Sequence, residues 1–289
     1  MFRQVRIGIA LSFLGQFALA QPVLHAVGLE NQYANVLAQI GGPYVAVTAI
    51  QSNPNTDPHE FEATPSVANT FHQADLVVEN GLGYDSWATK MLAGTKAQVV
   101  SAQKLLNLPD STPNPHLWYR TDTMPAVAAA AAAFFEEKDP AHKAIYEANL
   151  KKFDDSLKPW KQEIARVKAK FPGAPVAVTE PVADYLLEEA GLKISTPFSF
   201  QSAIMNDTDP APQDVSIEES LLRDKQVRFF AYNEQVTDQQ TKTLLEIAKK
   251  SKIQIVPVYE LMPLTVKNYQ DWMLQTTKSV YTALAVSKK

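Results

Sequence analysis

A chain of 289 residues without a single cysteine has neither disulfides nor thiolate metal sites open to it. Its formal charge is −4 and no basic cluster is interleaved with aromatics, which argues against a nucleic-acid partner. With 46% hydrophobic and 20% charged residues it reads as one large globular domain or two of modest size.

The first twenty residues stand apart. "MFRQVR" is a short basic start, "IGIALSFLGQFALA" is an apolar run, and Ala18-Leu19-Ala20 is a small-x-small cleavage site. The run is shorter than the ~20 residues of a membrane span, so residues 1–20 are expected to be a signal peptide, cleaved after Ala20. No cysteine follows, so a soluble periplasmic protein, not lipidated, is expected. Cleavage leaves 25 basic residues against 31 acidic ones, a charge of −6.

Strand and helix patterns then alternate. "PVLHAV" (22–27) reads as a strand and "ENQYANVLAQIGG" (30–42) as a helix closed by glycines. "YVAVTAI" (44–50) is a strand, "TPSVANTFHQA" (64–74) a capped helix and "DLVVENG" (75–81) a strand. "YDSWATKMLAG" (84–94) has a helical pattern, "QVVSA" (98–102) is a strand, and the alanine-rich 124–139 a helix. Residues 141–170 contain no strand. Phe153, Leu157, Trp160, Ile164 and Val167 recur at steps of four and three, which predicts an amphipathic helix of roughly 30 residues, about 45 Å long. Pro159 is expected to kink or interrupt it. Alternation resumes through "VAVTE" (176–180), "VADYLLEEAG", "LKISTPF" (192–198), "SIEESLLRDKQ", "VRFFAYN" (227–233), "QQTKTLLEIAKKS" and "IQIVPVY" (253–259). Such alternation predicts an α/β fold with two lobes of parallel βα units joined by a long linker helix. The expected division is an N-terminal lobe over 21–140, the linker over 141–172 and a C-terminal lobe over 173–289.

In parallel α/β units, ligand-binding groups gather beyond the carboxyl ends of the strands. His59, between Pro58 and two acids in "NPNTDPHEFEATPS", lies after the second strand, and His116 in "NPHLWYR" follows "QVVSA" at some distance. Glu180 ends "VAVTE" before Pro181, and Glu260 follows "IQIVPVY" ahead of Pro263. Each has a proline within three residues, which limits the backbone freedom lost when a site orders. A cleft between the lobes would bring the four together. His25 reads as a core or rim residue, and His72 and His142 as surface residues on helical segments. A histidine on a loop is more often merely solvated, and a glutamate at a strand end more often a helix N-terminal charge. Spacing alone therefore leaves a metal site at even odds with those readings.

"DPHEFEATPSVANTFHQADLVVENGLGYDSW" resembles the most diagnostic segment of the zinc- and manganese-type solute-binding proteins of metal ABC transporters. "NPHLW" is similar to that family's second histidine motif, with Asn114 where aspartate is commoner. "VAVTEPVADYLLEEAGLK" resembles its third ligand segment, and "IVPVYELMP" stands in place of the fourth. The resemblance spans nearly all of the chain after residue 20. It implies two lobes hinged by a long helix, with a metal held in the cleft by His59, His116, Glu180 and Glu260. Glu234 or Asp238 is an alternative to Glu260, where the family more often has Asp or His. Two neutral imidazoles and two carboxylates would neutralise a divalent cation on burial. Nitrogen and oxygen ligands suit zinc, manganese or ferrous iron. Zinc-type members often carry a histidine-rich loop, and residues 85–115 contain no histidine, which leans toward manganese. Intrinsic affinity leans toward zinc.

The function implied is a periplasmic carrier, not an enzyme, that delivers zinc or manganese as cargo to an ABC-transporter permease. A monomer is expected, touching the membrane only through the permease. The alternatives are a secreted zinc hydrolase, against which stands the absence of a helical H-E-x-x-H motif, and a metal-binding adhesin on the same scaffold.

Overall fold

The computed structural model describes residues 24–55, 58–236 and 238–287, with the side chain of His59 also outside the description. The expected signal peptide and its cleavage site lie outside the described residues. Strands and helices alternate through β1 (Leu24–Glu30), α1 (Asn31–Gly41), β2 (Val45–Gln51), α2 (Pro65–Gln73), β3 (Leu76–Glu79), α3 (Thr89–Leu92), β4 (Gln98–Ser101) and α4 (Ala102–Leu105). Three helices without a strand follow: α5 (Thr123–Lys138), α6 (Lys143–Ser156) and α7 (Lys158–Lys170). The second half contains β5 (Pro175–Val178), α8 (Asp184–Glu189), β6 (Lys193–Ile194), α9 (Phe198–Met205) and α10 (Pro212–Arg223). It continues with β7 (Phe229–Asn233), α11 (Gln239–Ser251), β8 (Gln254–Val258) and α12 (Tyr269–Val286).

These elements make two α/β lobes, each on a four-stranded sheet, in the orders β2-β1-β3-β4 and β6-β5-β7-β8. All pairings are parallel. The strands are aliphatic and β-branched because both faces are covered by helices. In each sheet the chain moves first to one side of the opening strand and then to the other. Between β1 and β3, and between β5 and β7, this leaves a switch point whose carboxyl end is the usual ligand position of such sheets.

The segment expected as one long helix forms two, with the break at Leu157–Lys158 and Pro159 in the first turn of α7. A proline there lacks only an N–H that would have no intrahelical partner, so it starts a helix more readily than it continues one. Helix α12 packs along α7, β8 and α1, and one apolar core runs through both sheets. Its aromatic centre joins the lobes. Trp160 Nε1 donates to Thr277 Oγ1 at 3.1 Å, the Tyr269 hydroxyl donates to the carbonyl of Trp118 at 2.6 Å, and Trp272 meets Tyr119 edge-on.

One polar face of α1 is hydrogen-bonded to the segment before α12. Asn31 exchanges two bonds with the backbone of Met262, both 2.8 Å. Gln32 Nε2 donates to the carbonyl of Glu260 at 3.0 Å, Asn35 Oδ1 accepts from the Tyr269 amide at 3.0 Å, and Gln39 pairs with Gln270. The spacing of these residues is that of one side of a helix.

Two further expectations are revised. The helical pattern of 84–94 yields only a 3-10 turn and the short α3, because Tyr84 and Asp85 turn inward: Asp85 accepts from the Gly81 amide at 2.7 Å. The strand expected over 192–198 is confined to Lys193–Ile194, since Pro197 removes a ladder donor and α9 begins at once. Helices α9 and α12 were not anticipated. No helix among the described residues is long and apolar enough to cross a membrane.

Candidate metal site

The second lobe supplies two carboxylates. Glu180 follows β5 by two residues and is 1% exposed; Glu260 follows β8 by two residues and is 0% exposed. Asn233, the last residue of β7, lies between them. Its Nδ2 donates to Glu180 Oε1 at 2.9 Å and to Glu260 Oε1 at 2.8 Å. A single amide at the β5/β7 switch point thus gathers two buried carboxylates that would otherwise repel one another.

From the first lobe comes His116, fully buried, with its Nε2 3.7 Å from Glu260 Oε2. Asn114 holds it from behind: Asn114 Oδ1 lies 2.8 Å from His116 Nδ1 and accepts from its backbone N–H at 2.9 Å. An amide oxygen only accepts, so Nδ1 carries a proton, and Nε2 is the nitrogen that faces Glu260. Asn114 Nδ2 reaches across to the carbonyl of Pro181, next to Glu180, at 2.7 Å. The Tyr84 hydroxyl donates to Glu260 Oε2 at 2.7 Å; burial first, then the Glu260 charge, holds that phenol well above its ordinary range. Trp118 and Tyr84 close around the imidazole edge-on.

His59 lies in a 3-10 turn, Pro58–Glu60, after β2. The loop before it is tied to the second lobe: Gln235 Nε2 donates to the carbonyl of Pro54 at 2.7 Å, while Gln235 Oε1 accepts from the amides of Glu260 and Leu261. A cleft of about 490 Å³ opens beside the site, lined by Pro58, Phe61, Tyr84, Pro115 and Met205 among others. Among the described residues, no group of three or more His, Cys, Asp or Glu side chains is close enough to hold a metal ion as it stands.

The remaining candidates lie elsewhere. Glu234 is exposed, and Asp238 caps α11 by accepting from the Thr241 amide at 2.6 Å. His25 and His72 are exposed, and His142 pairs with Asp139 at 2.6 Å and stacks on Tyr44. Sequence reasoning did not select Asn233, Gln235 or Tyr84. A strand-end amide carries no motif, and its importance appears only once β5 and β7 are neighbours. At the carboxyl end of β1, burial and then the charge of Asp85 push the buried Glu30 carboxyl well above the usual range.

The comparisons agree with this architecture. The metal ABC transporter substrate-binding lipoprotein ScbA of Streptococcus cristatus is 24% identical over 251 residues, covering 82% of this chain and 78% of its own. The manganese ABC transporter substrate-binding lipoprotein PsaA of Streptococcus anginosus is 24% identical, covering 76% and 75%. Among solved structures, the solute-binding protein FpvC of Pseudomonas aeruginosa in complex with Mn2+ superposes with a TM-score of 0.73 at 19% identity, covering 93% of this chain and 100% of that one. The Mn-bound periplasmic metal binding protein of Candidatus Liberibacter asiaticus gives 0.72 at 17% identity, covering 90% and 99%. At these identities the structures show the shared two-lobe fold.

The relatives correct one expectation. The absence of cysteine after the apolar run pointed to a protein that is not lipidated, yet ScbA, PsaA, SsaB and SloC are all named lipoproteins. An outward-facing location is what the relatives support. The family model for "Zinc-uptake complex component A periplasmic" matches residues 30–283, and the chain belongs to this family of metal-capturing solute-binding proteins.

Proposed function

We propose that this chain captures a divalent transition metal, zinc or manganese, with His59, His116, Glu180 and Glu260 and delivers it as cargo to an ABC-transporter permease. It acts as a carrier rather than an enzyme, as a monomer, with helices α6 and α7 as the connector between the lobes. One observation carries the reading: two fully buried carboxylates from different loops converge on one amide, and one of them, Glu260, faces the Nε2 of a buried imidazole. Buried carboxylates are costly without a counter-charge, and a divalent cation with two neutral imidazoles and two carboxylates is neutral overall. The names of relatives supply both metals, zinc in the family description and manganese in PsaA. The test is titration with zinc and with manganese after the full chain has been stripped with a chelator. Saturation near one equivalent is expected, and binding of neither metal refutes the reading.

A further inference from the structure

We infer that Asn233 is a positioning residue that sets how many oxygens Glu180 and Glu260 offer, and so biases the site toward four-coordinate zinc over manganese. This inference rests on the proposed metal-carrier reading.

The amide has a single orientation. Asn233 Oδ1 accepts from the backbone N–H of Gln235 at 3.0 Å, and a peptide N–H only donates, so the NH2 end must face the carboxylates. The backbone is equally fixed: Asn233 N–H donates to Thr179 Oγ1 at 3.1 Å, and the residue pairs with Val258 in the β7–β8 ladder and is fully buried. Both hydrogens of one nitrogen are then used, one on Oε1 of each glutamate, at 2.9 and 2.8 Å. For Glu260 the other oxygen, Oε2, accepts from the Tyr84 hydroxyl at 2.7 Å and lies 3.7 Å from His116 Nε2, so the amide and the phenol together turn the carboxylate toward the imidazole.

A carboxylate chelating through both oxygens must share or give up its bond to Asn233. Charge-assisted bonds of this kind are among the stronger ones in proteins. While they hold, each glutamate supplies one oxygen, and with two imidazoles the count is four, the number zinc prefers. Manganese favours a higher number of oxygen ligands and gains most from releasing Oε1. The bias therefore comes from an uncharged side chain that does not touch the metal.

The experiment compares wild type and Asn233→Ala as stripped full-length chains. Zinc and manganese dissociation constants are measured in parallel, and the visible absorption of the cobalt(II)-loaded protein is recorded. The expected result is a shift of about tenfold in the zinc-to-manganese affinity ratio toward manganese. The cobalt band should weaken at the same time, because four-coordinate cobalt(II) absorbs more strongly than five- or six-coordinate cobalt(II). Equal losses for both metals with an unchanged cobalt band would overturn the inference and leave Asn233 a structural residue. A wild-type chain that binds neither metal would instead overturn the carrier reading and the inference with it. Should Asn233→Ala fail to fold, Asn233→Ser, whose hydroxyl has one hydrogen to give, carries the same comparison. A smaller shift in the same direction supports the inference, and no shift overturns it.

Discussion

Glu218, on the inner face of α10, is fully buried, and burial pushes its carboxyl up to about 8, the Thr196 hydroxyl pulling weakly the other way. Its ordinary value is 4.5, so the folded protein holds this proton far more tightly than the unfolded chain does. At about 1.36 kcal/mol per tenfold change in proton affinity, the preference amounts to about 4 to 5 kcal/mol. The folded value is the raised one, so this contribution is fully present below pH 4.5. It is lost as pH climbs through 8, because the unfolded chain releases the proton first. Between pH 6 and pH 8 the loss is about 2 kcal/mol. Glu218→Gln keeps the shape and a donor but cannot ionise, so the variant lacks this slope. Urea unfolding of both proteins at pH 6, 7, 8 and 9 reads the difference directly. The stability gap should move in favour of Glu218→Gln by about 2 kcal/mol from pH 6 to pH 8. Parallel pH profiles for the two proteins would refute the assignment of a neutral buried carboxyl.

Three further outcomes follow from the proposed site. His59→Ala and His116→Ala should each weaken metal binding at least tenfold more than His72→Ala or His142→Ala in calorimetric titration, a difference of about 1.4 kcal/mol or more. Glu260→Gln should weaken manganese binding more than zinc binding, since manganese depends more on hard oxygen donors, whereas Glu234→Gln, at an exposed position, should leave both titrations unchanged. Gln235→Ala strips the buried amides of Glu260 and Leu261 of their acceptor and should lower stability by about 3 kcal/mol in urea unfolding, with weaker metal binding.

Much of the fold was legible because its strands are short aliphatic runs with clear breaks. "YVAVTAI" becomes β2, and "VRFFAYN" contains β7 to its last residue. Helix α12 escaped notice because its buried side includes Thr276 and Thr277, which interrupt the apolar stripe, yet Thr277 meets Trp160. The sequence predicts a kink or interruption at Pro159, and its place in the first turn of α7 shows why the break falls just before it. At the site, His116, Glu180 and Glu260 could be nominated from strand ends and from resemblance to a family. What arranges them could not: Asn233 and Gln235 work through neighbours that are distant in the chain, brought close by sheet order alone.

The bonds between α1 and the 260–270 segment alter what can move. Glu260 is attached through its own carbonyl to Gln32, and Met262 to Asn31, so the loop bearing this carboxylate is fastened to the opposite lobe. Mechanically, Glu260 belongs with His116 although it follows a strand of the second sheet. A rigid rotation of one lobe against the other would have to tear that seam before separating the two groups. In the proposed site, Glu260 is therefore the carboxylate that a lobe rotation would leave beside His116, a fixed post at the edge of the cleft.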